Sequence, residues 1–323
     1  MKHRGYHDIG GLPGEAIDRE ERPMVFWEKR MEAVRDCISR SDPPLMTVDE
    51  MRRVIETMGK EAYNTLAFYE KKAAAVRDVL IEKGVLDADE LAARVEKVRG
   101  NRETAIENFP DRFDHRHDHE DIKDDDPIPS EYSVISEAVY ECLVEKELLS
   151  AETVHRMIER MEQAGPVLGA RIVARCWTDP SFKAALLDDG KEVLLEIGID
   201  PLEAEFKVLA NTPEVHNVIV CTLCSCYPRS ILGAPPAWYV SKAYQSRVLR
   251  EPRSVLAEFG TDIGKEVEVR VHDSTADLRY MVLPLRPGGT EDWSANELAG
   301  LVNRDCLIGV TTATPPERET RDG

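Results

Sequence analysis

Residues 215–228 read VHNVIVCTLCSCYP, a β-branched run followed by three cysteines, at 221, 224 and 226, within six residues. The run Val215–Val220 has the composition of a short buried strand. Its last residue leads directly into Cys221. A C-x-x-C pair is a thiolate chelate, and a third cysteine two residues on brings three sulfurs into one tight turn. Thiolates favour thiophilic transition metals. A structural zinc site takes four side-chain ligands, usually as two separated pairs, and no second C-x-x-C pair accompanies this one. His216 and His272 are the nearest alternatives, each inside a strand pattern that suits a structural histidine. Three sulfurs without a fourth side chain leave something else to complete the coordination, with the turn's own backbone nitrogens as candidates. A position left open to solvent or substrate is the signature of a catalytic metal. Reactive thiols and plainly buried thiols are the alternatives to a metal site.

Around this turn the chain has 323 residues, with 42 Lys plus Arg against 61 Asp plus Glu and a formal charge of −19. That balance argues against a nucleic-acid partner, which requires a basic face to displace counterions, and against an anionic membrane surface. No apolar run approaches the roughly 20 residues of a membrane helix. The first residues lack the apolar core of a signal peptide, which points to a cytoplasmic protein. The remaining cysteines, Cys37, Cys142, Cys176 and Cys306, fall singly in apolar helical contexts and read as small buried hydrophobes.

Upstream, residues 1 to about 25 are Gly-rich and irregular. Helical periodicity follows over 25–40, 61–84 and 87–100, with Thr47 and Glu50 forming a capping box before MRRVIETM. Residues 111–129, DRFDHRHDHEDIKDDDPIP, have almost no apolar side chains and read as an acidic linker. His115, His117 and His119 alternate there; a metal-loading role is conceivable, but the composition favours a solvated linker. Beyond it come helices over 131–146, 151–164 and 166–177. FKVLANT, VHNVIVC, VEVRVHD and LRYMVLPL then read as strands, and Ser294 and Glu297 cap a last helix, ELAGLVNRDCLIGV. The fold class is α+β: a helical domain over 1–108, a linker over 109–130, and a layered α/β domain with N-terminal helices over 131–323.

VCTLCSCYP, ILGAPPAWY, VLREPRSVLAEFG and the stretch from DSTADLRYMVLPL to CLIGV together resemble the α subunit of nitrile hydratase, over about 131–313. The resemblance implies a non-corrin Co(III) held by Cys221, Cys224 and Cys226 with the amide nitrogens of Ser225 and Cys226. It also implies Cys224 as sulfinate and Cys226 as sulfenate, two steps on the thiol oxidation ladder. Thr222 is the residue type of the cobalt forms, whereas the iron(III) forms resemble C-S-L-C-S-C. A second resemblance, carried by HDIGGL, PMVFWEKR and TVDEMRRVIETM over about 5–97, is to the N-terminal half of the β subunit. It implies that Arg52 bonds the oxidised cysteine oxygens, a role that suits a rigid guanidinium fork.

The β subunit's C-terminal barrel has no counterpart in the chain. The resemblance therefore implies a separate partner chain that supplies it and a hetero-oligomer; whether an activator protein loads cobalt stays open. Two stretches bear on the substrate pocket. Arg229 follows Tyr227-Pro228 where nitrile hydratases carry Trp, and Phe68-Tyr69-Glu70-Lys71-Lys72 stands where they read Y-Y-E-R-[WY]. Positive charge from Arg229 and Lys72 favours a small anion, and Y-P-R resembles thiocyanate hydrolases of the same superfamily. The implied reaction is hydration of a carbon–nitrogen triple bond by Lewis-acid catalysis, with Cys226 and Arg52 catalytic and Ser225 orienting the turn. Nitrile to amide ranks first; thiocyanate to carbonyl sulfide and ammonia is the alternative. A non-catalytic thiolate metal-binding or redox protein is the reading of a different class, and an inactive subunit lacking its partner is a third.

Overall fold

The structure, a computed structural model, describes residues 5–108, 130–201, 205–223 and 226–313. The acidic stretch with His115, His117 and His119 lies outside the described residues. Contacts divide the chain into two compact units, residues 23–159 and residues 1–22 with 160–323.

The first unit is helical: α1 (Phe26–Arg40), α2 (Val48–Thr57), α3 (Lys60–Thr65), α4 (Phe68–Glu82), α5 (Ala88–Asn108) and α6 (Glu131–Glu145). Thr47 caps α2 as its sequence predicts: its Oγ1 accepts from Glu50 N at 3.2 Å, and Thr47 N donates to the Glu50 carboxylate at 2.7 Å. The single helix expected over 61–84 is two. Leu66 and Ala67 are extended, and Glu70 restarts the helix by accepting from Ala67 N at 2.8 Å. Conversely, α5 runs on past Gly100, where a helix end was expected.

The compact division does not fall at the acidic stretch. α6 presents Val134, Ile135, Ala138, Val139, Cys142 and Leu143 as one buried stripe, and it packs on α1, α4 and α5. An amphipathic helix of this length gains more by burying that stripe than by standing apart. α7 (Ala151–Gln163) carries the chain across the division.

In the second unit, α8 (Pro166–Thr178), α9 (Pro180–Asp188) and α10 (Gly190–Glu196) precede the strands. β1 (Glu205–Ala210) pairs in parallel with β4 (Leu278–Leu283), and β2 (Val215–Val220) in parallel with β3 (Glu268–Asp273). Parallel pairing requires a crossover. For β2 and β3 the crossover holds α11 (Arg229–Leu232), a 3₁₀ turn (Ala237–Val240), α12 (Lys242–Arg247) and α13 (Pro252–Glu258). The last expected helix is again two, α14 (Ala295–Ala299) and α15 (Arg304–Ile308). Asn303 starts the second by accepting from Cys306 N at 2.9 Å. Cys37, Cys142, Cys176 and Cys306 are buried as expected. Burial pushes the Cys37 and Cys176 thiols up to about 11 and about 12, which keeps them protonated and inert.

A polar network sits at the start of β2. Asn217 N donates to Asn211 Oδ1 at 2.8 Å, and His272 Nε2 donates to Asn217 Oδ1 at 2.9 Å. His216 Nε2 donates to the Gly309 carbonyl at 2.7 Å. Burial lowers the pKa of both histidines from the ordinary 6.5, with Arg270 adding to the effect at His272. Both are therefore held neutral in the fold. The unfolded chain takes up these protons first, so stability is full above about pH 6.5 and declines as the pH falls below it. Urea unfolding at pH 7.5, 6.5 and 5.5 is expected to show this decline, and His216→Gln with His272→Gln is expected to flatten it.

Candidate metal centre

The cysteine-rich turn is delivered by β2. Val218, Ile219 and Val220 are wholly buried, and Cys221 follows them with no exposed surface. The turn closes at Cys226, 3% exposed, and Tyr227, 1% exposed, before α11 begins. Its two ends are pinned by separate groups. On the entering side, Tyr244 OH donates to Ile219 O at 2.7 Å and Ser274 N donates to Val220 O at 2.7 Å. On the leaving side, Tyr239 OH donates to Cys226 O at 3.0 Å. Burial, and then the neighbouring Cys221, raise the Tyr239 phenol well above its ordinary value, so it stays protonated as a donor.

Thr222 is held by Asp273 twice. Its N–H donates to Asp273 Oδ1 at 3.0 Å and its hydroxyl to Asp273 Oδ2 at 2.5 Å. The register of β2 against β3 sets this up, because Val220 pairs with Asp273. Around the turn stand edge-to-face aromatic rings: Tyr227 on Tyr239 at 5.1 Å, Trp238 on Tyr244 at 4.9 Å and Trp238 on Phe259 at 4.7 Å. Such a wall excludes water and resists movement of the turn.

Cys224 and Ser225 lie outside the described residues. Among the described residues no three His, Cys, Asp or Glu side chains gather as a metal site. Two of the three expected sulfurs, those of Cys221 and Cys226, are described. They sit at the two ends of one short turn and away from solvent, and this donor set and burial suit a thiophilic ion. Arg229 is the first residue of α11, partly exposed, with its N–H donating to Tyr227 O at 2.8 Å.

The other expected site residues belong to the helical unit. Arg52 lies partly exposed on α2, whereas its neighbour Arg53 pairs with Glu82. Phe68, Tyr69 and Lys72 do come together: Lys72 Nζ is 4.7 Å from the Phe68 ring centre and 5.8 Å from that of Tyr69. The expected positive charge of Lys72 needs correcting, because the ammonium is 2% exposed and ion-paired with Glu32, itself 1% exposed. A buried ammonium requires such a partner, so Lys72 brings no net charge with it. Truncation, Lys72→Ala, is expected to destabilise the protein by about 3 kcal/mol by stranding Glu32, with part of the loss offset by Arg35. Lys72→Met with Glu32→Leu should cost far less in the same urea titration. Tyr239, Tyr244 and Asp273 were not legible as site residues. Their roles depend on pairing between segments 13 to 51 residues apart, and only the strand pattern of VEVRVHD hints at the last.

A buried parallel strand ending in a cysteine-rich turn, walled by aromatic rings, has the donor chemistry of a thiolate metal site. The profile of the nitrile hydratase α chain matches residues 130–311, more than half of the chain, so the protein belongs to that family. A second profile, that of the nitrile hydratase β subunit N-terminal region, matches residues 3–121. The chain is 51% identical over 178 residues to the α subunit of a low-molecular-weight cobalt-containing nitrile hydratase of Rhodococcus rhodochrous, covering 54% of this chain and 86% of the relative. It is 42% identical over 198 residues to the γ subunit of Thiobacillus thioparus thiocyanate hydrolase, covering 58% and 82%. To the nitrile hydratase β subunit of Pseudomonas putida it is 35% identical over 92 residues, covering 27% of this chain and 42% of the relative. A solved recombinant thiocyanate hydrolase with partially modified cobalt centres superposes with a TM-score of 0.55 at 42% identity, over 58% of this chain and 91% of the other.

Asp273→Ala leaves the Thr222 N–H and hydroxyl without their acceptor. It is expected to cost about 1–2 kcal/mol of stability and to lower the cobalt-to-protein ratio of the purified protein, read by urea unfolding and elemental analysis.

Proposed function

We propose that this chain is the metal-binding catalytic chain of an enzyme that adds water across a carbon–nitrogen triple bond, converting a nitrile to its amide. The observation that carries this reading is the Cys221-x-x-Cys224-x-Cys226 turn at the buried end of β2, in a chain of the nitrile hydratase family. Cys221, Cys224 and Cys226, with the amide nitrogens of Ser225 and Cys226, would hold a cobalt ion. Relatives named as cobalt-containing and Thr222 in the turn support cobalt over iron. When bound, the ion supplies Lewis acidity to the reacting nitrile.

The chain's own residues have the remaining work. Cys224 and Cys226 are proposed as sulfinate and sulfenate, whose oxygens would serve as hydrogen-bond acceptors. The Cys226 oxygen acts as nucleophile or as the base that takes the proton from water. Ser225 is proposed to orient the turn. Arg52 is proposed as the donor to those oxygens on chemical grounds, since its planar fork places two N–H groups on neighbouring acceptors. Arg229, Phe68, Tyr69 and Lys72 are proposed as pocket residues, with Lys72 contributing shape and a Glu32-balanced charge. The aromatic wall of Tyr227, Trp238 and Tyr239 keeps bulk water from the back of the turn.

The domain reading is a fusion: a β-like helical domain over 1–108, an acidic linker over 109–130 and an α-like domain over 131–323. The β relative extends well beyond the 42% that this chain covers. A separate chain carrying the β C-terminal barrel is therefore proposed as partner in a hetero-oligomer, with an activator protein loading cobalt. Among the described residues no helix is long and apolar enough to cross a membrane. A cytoplasmic setting suits thiols reserved for a metal.

One observation favours a second substrate. Arg229 follows Tyr227-Pro228 immediately after the turn, and a cation there suits thiocyanate, the substrate named for one relative. The test is competition between acrylonitrile, benzonitrile and thiocyanate, on protein produced with cobalt and the barrel-type chain. Amide formation is the expected outcome, together with one cobalt per chain and oxygen mass on the peptide of residues 215–229. Turnover of thiocyanate alone would overturn the ranking, and stoichiometric zinc on unmodified thiols would overturn the enzyme reading. Arg229→Trp is expected to weaken any thiocyanate turnover at least tenfold while sparing nitriles, about 1.4 kcal/mol of transition-state binding.

A further inference from the structure

Phe68 and Tyr69 are the first two residues of α4, and Lys72 follows them at helical spacings of four and three. Side chains so spaced are neighbours on one face, and they lean toward the helix N-terminus. Lys72 reaches back in this way: its ammonium lies 4.7 Å from the Phe68 ring centre and 5.8 Å from that of Tyr69. The two rings meet edge to face at 4.9 Å. Both are partly exposed, so a small molecule can reach the pair while the ammonium stays buried. The partner of the ammonium stands on α1. One carboxylate oxygen of Glu32 accepts from Lys72, and the other pairs with Arg35 Nε at 3.2 Å. Arg35 pairs in turn with Asp36.

A buried ion pair is a poor source of stability. Exchanging it for packed apolar side chains of similar volume is often neutral or stabilising, because both charges give up their hydration. What this pair adds is position. A carboxylate held on α1 by Arg35 fixes the ammonium, and a desolvated cation at an aromatic ring attracts it more strongly than an exposed one does. The attraction falls on the first turn of α4, whose backbone N–H groups have no preceding helical turn to bond. A ring pair at a helix start therefore gains most from an anchor on another element.

We propose that the Glu32–Lys72 ion pair is a clamp that fixes the Phe68 and Tyr69 rings, with Glu32 as a positioning residue that acts through Lys72. The proposal rests on the reading that these rings line the substrate pocket. It assigns the buried charge the task of holding an aromatic wall still, in place of attracting an anion, and it gives Glu32 a part in substrate binding although Glu32 itself meets no substrate.

The test uses the full chain with ring-labelled phenylalanine and tyrosine, and reads the flip rates of the Phe68 and Tyr69 rings by NMR. That readout needs neither cobalt nor turnover. Lys72→Met with Glu32→Leu removes both charges and leaves Arg35 its bond to Asp36. In this variant the two rings are expected to flip roughly tenfold faster. The ring of Tyr63, buried in the same helical unit against Lys71, should keep its rate. Glu32→Gln, which keeps the ammonium and removes its carboxylate, should fall between the parent and the double variant. On cobalt-loaded enzyme with its partner chain, the double variant is expected to raise KM for benzonitrile about threefold with kcat within about twofold, because a loosened wall loses binding common to the ground and transition states. Parental flip rates in the double variant, or in a folded Glu32→Gln, overturn the proposal. Equal quickening of Tyr63 also overturns it, since that marks general softening of the core. Should Glu32→Gln fail to fold, the double variant decides. Faster flips with KM unchanged for benzonitrile, acrylonitrile and thiocyanate would leave the clamp standing and sink the pocket reading.

Discussion

A strand with no exposed surface over Val218, Ile219 and Val220 carries Cys221 into the interior, and most of the second unit serves to hold the turn that begins there. The backbone groups at the ends of a buried turn need hydrogen-bond partners from elsewhere in the fold. Restraint has to come from outside the turn. Here it comes from phenols and a carboxylate: Tyr244 on Ile219, Tyr239 on Cys226 and Asp273 on Thr222. Each donor or acceptor stands on a different element, so no single side-chain motion frees the turn.

The aromatic residues have two duties in this arrangement. Their rings fill the space between α11, α12 and the strand, and their hydroxyl groups answer backbone carbonyls that would otherwise be buried without partners. Burial raises the Tyr239 and Tyr244 phenols well above their ordinary values. They remain donors across the whole working range of pH. A phenylalanine at either position would pack as well and restrain nothing.

The helical unit illustrates how a charged residue changes meaning with its surroundings. Taken by itself, Lys72 adds positive charge to a stretch that is aromatic in the resembling enzymes. Packed between α1 and α4 beside Glu32, it forms a neutral pair flanked by the Phe68 and Tyr69 rings. Arg229, by contrast, is partly exposed at the start of α11, in the unit that carries the cysteines.

The sequence alone determined the α+β class, the strand that leads to the cysteines, the capping boxes at Thr47 and Ser294, and the burial of the four scattered cysteines. These are local matters: side-chain periodicity, a hydroxyl three residues before a carboxylate, or apolar context settles each within a few positions. Helix breaks at Leu66–Ala67 and near Gly300 escaped it, because the apolar pattern continues through both. Only the tertiary structure decided that α6 joins the helices before the acidic stretch. The same holds for Glu32 beside Lys72, for Asp273 on Thr222, and for the phenols that pin the turn. Each of these pairs residues 13 to 107 positions apart in the chain, through strand register or helix packing, and no short-range pattern records which distant partner a buried polar atom will meet.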